Sequence, residues 1–296
     1  MSTEAAPAAA SPTHAPIMQV RVPGGSRRHD LRAIKVVWRR EMIRFSQDRL
    51  RIVTTLVQPI LFMFVLGTGL SSLTEGQTGD VSLQTFMFPG VIALAVLFIA
   101  MFSAVSIVWD REFGFLREML VAPVRRSSIM IGKCIGGATV AAFQGTIVLT
   151  LAPLVGVPYD PVMLATLFVE MLLLGFMVTA FGLVVAARVK QLQSMMGLMQ
   201  MILMPLMFLS GALYPLSNLP GWLNFLVKIN PITYAVHPMR TAVFTHIDAS
   251  AAAQARLNPD ITWFGWTVPT LVQLAIVVVA GLILLGISIL EFDRAD

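Results

Sequence analysis

Residues 88–109 read FPGVIALAVLFIAMFSAVSIVW, and the next stretch reads Asp110-Arg-Glu-Phe-Gly-Phe-Leu-Arg-Glu-Met-Leu-Val-Ala-Pro123. The first contains no charged side chain and is long enough for a helix to cross a hydrocarbon core, which takes about 20 apolar residues. Its apolar positions are continuous rather than alternating, so a helix is expected and not a barrel strand. The second stretch is amphipathic. Phe113, Leu116 and Leu120 fall on one helical stripe, with Arg111, Glu112, Arg117 and Glu118 around it. Pro123 ends the helix, because its ring cannot continue the hydrogen-bond ladder. A short helix held between two spans suits the transmission of force from a soluble motor. A polar loop that merely caps two helices fits the same pattern.

Five further stretches have the same apolar character, giving six expected spans at about 52–72, 88–109, 128–155, 163–187, 192–213 and 267–290. The whole composition agrees: 56% of residues are hydrophobic and 12% charged, where a soluble domain carries about 25% charged residues to keep its surface hydrated. The expected fold class is an all-α integral membrane protein, with residues 52–296 forming a six-helix transmembrane domain.

Orientation follows from Lys and Arg. They crowd the region before the first span (Arg21 to Arg51), the second loop (Arg111, Arg117, Arg125, Arg126) and the fourth loop (Arg188, Lys190), and are absent from 75–80 and 158–161. Both termini are therefore expected in the cytoplasm. The net charge of +5 is explained by this distribution, so no nucleic-acid partner is expected. Cys134 stands alone, and His14, His29, His237 and His246 lack ligand spacing, so neither a disulfide nor a metal site is expected. Residues 1–29 are rich in Ala, Pro and Ser without an apolar run, which is the composition of a disordered tail.

Residues 30–51 form an expected amphipathic helix, with Leu31, Ile34, Trp38, Met42 and Phe45 on one face and Arg32, Lys35 and Arg39 on another. It is expected to lie along the cytoplasmic interface, either as an anchor or as a lever touching the motor. The fifth loop, 214–266, contains short apolar stretches bounded by prolines, which suggests interfacial or re-entrant helices on the outer side. An ordinary external loop fits as well. Trp222, Tyr234, Trp263 and Trp266 suit a headgroup-level belt. Gly132, Gly136, Gly137, Gly175 and Gly182 permit close helix approach, inside one bundle or across a dimer.

A possible substrate pathway involves Glu170, Met199 and Pro205. Glu170 is the only acid well inside an expected span, where it would contact a polar substrate, relay a proton, or bond with Thr166, Gln144 or an external water. The methionines of 195–207 are adaptable, but they point all around the helix, as packing residues do. A phosphate-cradling loop needs Gly-x-x-x-x-Gly-Lys-Ser/Thr. At Gly132-Lys133 this fails, with Ser127 for the first glycine and Cys134 for the hydroxyl. Energy must then come from a partner or an ion gradient. A secondary carrier using Glu170, or a non-transport scaffold, is the reading from another class.

The core Arg111-Glu112-x-Gly114-x-Leu116, followed by Leu120, Pro123 and Gly132-Lys133, resembles the loop of type 2 ABC exporter permeases of the daunorubicin-resistance and nodulation-factor branches. Leu219-Pro-x-Trp222, Asn230-Pro-x-Thr-Tyr234 and Arg240 are similar to the same family's external segment. The resemblance runs from about Arg28 onward. It implies an ATP-driven exporter of a drug, lipid or glycolipid-like substrate in a bacterial cytoplasmic membrane, and a chain that is a permease rather than an enzyme. It further implies a coupling helix at 110–122 (Arg111, Glu112, Phe113, Gly114, Leu116, Arg117, Leu120) seated on a separate ATPase subunit. A connecting helix (Leu31, Trp38, Phe45) would touch it too, and a second permease copy or a homologous permease would complete the pathway within membrane lipid. ATP and Mg would bind the partner, and no cofactor this chain. One departure is Arg117, where the family often has an acid.

Overall fold

The computed structural model describes residues 27–69, 81–115, 124–217, 219–263 and 265–295. Helix α1 (Arg27–Gln47) is followed at Asp48 by α2 (Arg49–Leu61), which passes through a π-helical turn at Phe62–Leu66 into Gly67–Gly69. Next come α3 (Leu83–Glu112), α4 (Arg126–Leu149) with a short 3-10 turn at Ala152–Val155, α5 (Pro161–Arg188) and α6 (Leu192–Phe208). Three short helices, α7 (Gly221–Ile229), α8 (Thr233–Phe244) and α9 (Ala251–Leu257), precede a two-stranded hairpin and the last helix, α10 (Thr270–Ala295).

Among the described residues, five helices are long and apolar enough to cross a membrane: Ile52–Gly69, Leu83–Glu112, Arg126–Leu149, Pro161–Arg188 and Thr270–Arg294. The expected span 192–213 is shorter, an apolar helix of 17 residues, about 25 Å at 1.5 Å per residue. It stops because Ser210 takes over the ladder. Its Oγ donates to Met207 O at 2.6 Å and accepts from the N–H of Ala212 at 3.2 Å. Gly211 then turns the chain at φ +69°. The expected span 128–155 likewise ends as a helix at Leu149, with the 3-10 turn supplying the rest. The hairpin pairs Thr262 with Thr267 and Trp263 with Trp266. It was not foreseen in the sequence, where the last span was expected from 267.

α3 is the central pillar. It starts where the Ser82 hydroxyl accepts the Thr85 N–H at 3.1 Å, and it is apolar on every face, as a helix enclosed by others must be. The most apolar stretch of α3 is 83% buried within the chain, against 17% for Ile52–Gly69 and 22% for α10. The first and last spans therefore present their apolar faces outward, to lipid or to another protein.

Small residues set the helix approaches, all of them inside one chain. A Cβ on Gly137 would meet Thr179 and Ser103, one on Gly175 would meet Ala138, and one on Gly182 would meet Ala104 and Met101. Gly132 and Gly136 instead receive α1. A Cβ there would stand 2.8 Å from Val37 Cβ and 3.0 Å from Glu41 Cβ respectively. α1 runs in the same direction as α4, as the ascending pairs Asp30–Arg125, Val37–Gly132, Glu41–Gly136 and Trp38–Thr139 show. Helix α2 continues that course, with Gln144 Nε2 donating to Ile52 O and Thr55 Oγ1 at 3.3 and 3.1 Å.

Two ends of the bundle can thus be distinguished. One holds Arg40, Asp110, Gly114, Arg125, Arg188 and Glu291 and is called here the basic end. The opposite end holds Ser82, Ala152–Asp160 and α7–α9.

Candidate functional site

At the basic end α1, α3 and α4 meet over a set of buried charges. Lys133 Nζ lies 2.7 Å from Asp110 Oδ2 and 3.2 Å from Glu41 Oε1, and donates to Ser106 Oγ at 2.8 Å. Arg40 pairs with the other Asp110 oxygen. Asp110 and Lys133 are almost wholly enclosed. Charges taken out of water need mutual pairing, and removing one partner leaves an uncompensated buried charge that costs about 3–5 kcal/mol. The cluster therefore links α1 to the ends of α3 and α4 through partners that depend on one another.

Just beyond Asp110, the chain ends α3 with a fixed geometry. Arg111 Nη1 donates to Ala186 O and Val189 O at 3.1 and 2.8 Å, capping the C-terminal carbonyls of α5. Glu112 Oε2 accepts the Leu192 N–H at 2.9 Å and caps the start of α6. The two residues expected to touch an ATPase are thus bonded within the chain, and they lock the tip of α3 to the α5–α6 turn. Gly114 turns at φ +81°, a conformation that favours glycine. Phe113 and Phe115 flank it with 61% and 54% of their surfaces exposed. Leu116, Arg117 and Leu120 of the expected coupling helix lie outside the described residues.

The face that α1 turns to the bundle carries four of the five expected apolar residues, with Ile34, Trp38, Met42 and Phe45 half-buried and Arg32, Lys35 and Arg39 exposed. Leu31 is exposed, and the most deeply buried positions are Val37 and Glu41. Trp38 Nε1 donates to Thr139 Oγ1 at 3.2 Å. The centre of contact shifts because the glycines of α4 accept Val37 and Glu41 and because Lys133 compensates the Glu41 carboxylate. α1 packs lengthwise on α4 instead of resting on apolar contacts alone.

The proposed pathway residues are not brought together. Glu170 is buried on α5 and its Oε2 has no hydrogen-bond partner among the described residues. Neither suggested partner reaches it, since Thr166 bonds to Val162 O and Gln144 to α2. Met199 is packed in the core, and Pro205 is on the surface. The methionines of α6 do face all ways: Met195, Met199 and Met207 inward, Met196, Met201 and Met204 outward.

At the opposite end, the external motif residues act together as a clamp on the end of α6. Asn230 Nδ2 donates to Leu206 O at 3.0 Å, and Thr233 Oγ1 reaches Leu209 O at 3.2 Å and Val227 O at 2.9 Å. Arg240 is fully enclosed. It donates to Gly211 O at 2.7 Å and stands 4.3 Å over the ring of Phe86. Tyr234 is buried rather than at a headgroup belt, with its OH donating to Lys228 O and accepting from Trp263 Nε1 at 2.7 and 2.8 Å. Trp222 and Trp266 remain exposed. The sequence pattern named these residues, but gave no sign of their common target.

A bundle of long apolar helices with charge gathered at one end defines a multi-pass membrane protein, and the comparisons with known proteins give its class. Residues 32–244 match the ABC-2 type transporter family, and the chain belongs to that family. It is 28% identical over 213 residues to nodulation protein J of Rhizobium leguminosarum bv. trifolii, covering 71% of this chain and 80% of that one. It is 26% identical over 244 residues to the probable doxorubicin resistance ABC transporter permease protein DrrC of Mycobacterium tuberculosis, covering 82% and 85%. It is 32% identical over 157 residues to the probable multidrug ABC transporter permease YbhR of Escherichia coli, covering 50% and 41%. Two of these three relatives are named as ABC transporter permeases.

Proposed function

We propose that this chain is the permease subunit of an ATP-driven exporter, moved by a separate ATPase subunit that seats on the segment following Asp110. ATP and Mg belong to that partner, and this chain binds no cofactor. In this reading the basic end faces the cytoplasm of a bacterial cell, as the distribution of Lys and Arg supports. α6 is the fifth of six spans, and α7 and α8 are re-entrant elements on the outer side. A second permease copy completes the pathway along the outward apolar faces, and the cargo is a hydrophobic or amphiphilic molecule.

The observation that carries the reading is the tip of α3. Two exposed phenylalanines flank a glycine turn there, and the same tip is bonded to α5 and α6 through Arg111 and Glu112. A soluble partner that accepts Phe113 and Phe115 in a groove would move three helices together, and through Asp110 and Lys133 a fourth and fifth. Coupling requires contacts that differ between two states, and aromatic side chains supply most of such a contact.

The ion-driven alternative rests on Glu170 alone. The other buried acids, Glu41 and Asp110, are engaged with Lys133 and Arg40. The test is efflux of a lipophilic fluorescent dye from vesicles holding the permease with its ATPase. Phe113→Asp is expected to abolish ATP-driven efflux with membrane insertion intact, and Glu170→Gln to leave it. Full efflux by Phe113→Asp removes the assignment.

A further inference from the structure

Beside the ionic cluster, an open cavity of about 390 Å³ is cut between α1, α3 and α6. Its walls differ in character. α1 contributes Glu41, Arg44 and Phe45, with Asp48 at its joint to α2, whereas α3 contributes Ile99, Phe102 and Trp109 among others, with Val140 from α4 and Met196 from α6. We propose that this cavity is a binding site for an anionic amphiphile, with Arg44 as the headgroup residue and the Phe102–Ile99–Met196 wall as the seat for the chain. The proposal names a cargo or lipid class for the permease reading above and rests on its orientation of the basic end.

Three observations support it. Arg44 holds its guanidinium 5.6 Å from the Trp109 ring centroid, and its Nη1 is buried without a hydrogen-bond partner among the described residues. A buried guanidinium N–H without an acceptor is costly, and a planar fork of donors matches a phosphate, sulfate or carboxylate. Second, the neighbouring charges are mutually engaged. Arg40 and Lys133 take Asp110 and Glu41, which leaves Asp48 as the other acid of the lining, beside Arg49 at the start of α2. Third, α1 carries seven basic side chains and two acidic ones, so the approach to the cavity is positive. The aromatic wall beyond Trp109 continues into a narrower apolar cleft lined by Thr55, Pro59, Phe62, Val91, Leu94 and Phe98. An acyl chain can follow that cleft along α2 and α3.

Trp109 gives the direct readout. The probe is phosphatidylglycerol brominated on its acyl chains, added to the full-length protein in neutral maltoside detergent, with brominated phosphatidylcholine as the comparison. Quenching of the fluorescence that Trp109→Phe removes is expected with phosphatidylglycerol at concentrations at least tenfold below those needed with phosphatidylcholine. Arg44→Gln is expected to weaken the phosphatidylglycerol response at least tenfold, and Arg44→Lys, which keeps the charge without the fork, to restore part of it. Size-exclusion profiles that match the native protein exclude misfolding of either variant. Dodecyl phosphate distinguishes a general anionic headgroup site from one for a two-chain membrane lipid, and quenching displaced by it upholds the first. Equal quenching by the two phospholipids, or a response unchanged in Arg44→Gln, overturns the proposal. No ATPase enters this experiment, so its outcome is separate from that of the coupling assignment.

Discussion

The two ends of the bundle each bury a cation, and they satisfy it by opposite means. Lys133 at the basic end faces two carboxylates drawn from two other helices. Arg240 at the opposite end has backbone carbonyls and an aromatic face, all close to the turn that ends α6. The first arrangement links helices that lie far apart in sequence through charge. It can be re-formed in another geometry, because Lys is a flexible point charge. The second pins one turn through a planar guanidinium whose Nη2 reaches both carbonyls, and has no equivalent alternative. The contrast teaches where movement is built in: the basic end is tied by exchangeable pairs, and the opposite end is tied by shape.

The largest effect is expected from Lys133→Ala, which strands Glu41 and leaves Asp110 with Arg40 as its cation. A loss of about 3–5 kcal/mol should show as a marked fall in the thermal midpoint in detergent. Adding Asp110→Asn and Glu41→Gln should recover part of it while still impairing transport. A triple variant that transports like the native chain would remove the charge linkage from the mechanism.

Arg240→Lys retains the charge but gives up the planar guanidinium that lies over Phe86 and whose Nη2 reaches the Gly211 and Ala212 carbonyls. Unsatisfied buried carbonyls cost about 1–3 kcal/mol, and limited proteolysis between α6 and α8 should accelerate. If Lys serves as well as Arg, charge rather than shape holds the opposite end.

Glycine substitutions sharpen the comparison further. Gly132→Ala sets a Cβ 2.8 Å from Val37 Cβ, and overpacking of this kind costs about 1–3 kcal/mol. Gly197→Ala meets nothing within 4 Å and should leave the thermal midpoint unmoved. Equal effects of the two would mean that α1 does not dock on α4 as described.

The smallest effect is a pH dependence at Asp160, the N-cap of α5. Hydrogen bonds from the Met163 and Val162 N–H groups, with His246 nearby, hold its carboxyl below the usual carboxylate range. A depressed folded value means that the cap stabilises fully at neutral pH and is lost as pH falls below the normal carboxylate range, around pH 4. Asp160→Asn, which still accepts the bonds, should flatten that part of the stability profile. An unchanged acid limb would assign the loss to other groups.

Hydropathy made most of this fold legible, because a lipid-exposed backbone must satisfy its hydrogen bonds within a helix and each span declares itself by length. It placed five spans and the charged tip of α3, and it ran past the helix ends of α4 and α6; in α6, Ser210 and Gly211 end the helix inside a stretch that is apolar throughout. On α1 it found the packed apolar stripe but not the carboxylate buried within it. Periodicity assigns apolar residues to the buried side, and Glu41 is buried only because Lys133 meets it from another helix. Lys133 itself was visible only as part of a failed phosphate motif and of the family pattern. Arg44 read as one basic residue among many, because neither its place over Trp109 nor the cavity beside it has a signal in local sequence.

The central claim is that a separate ATPase drives this bundle through the tip of α3. Purifying the tagged full-length chain from its native membrane in mild detergent, and assaying the eluate for ATP hydrolysis, tests it most directly. The account expects a stoichiometric soluble partner with a phosphate-binding loop, its ATPase activity present in the eluate and lost together with the partner in Phe113→Asp. A chain that purifies without such a partner and moves substrate under a proton gradient would contradict it.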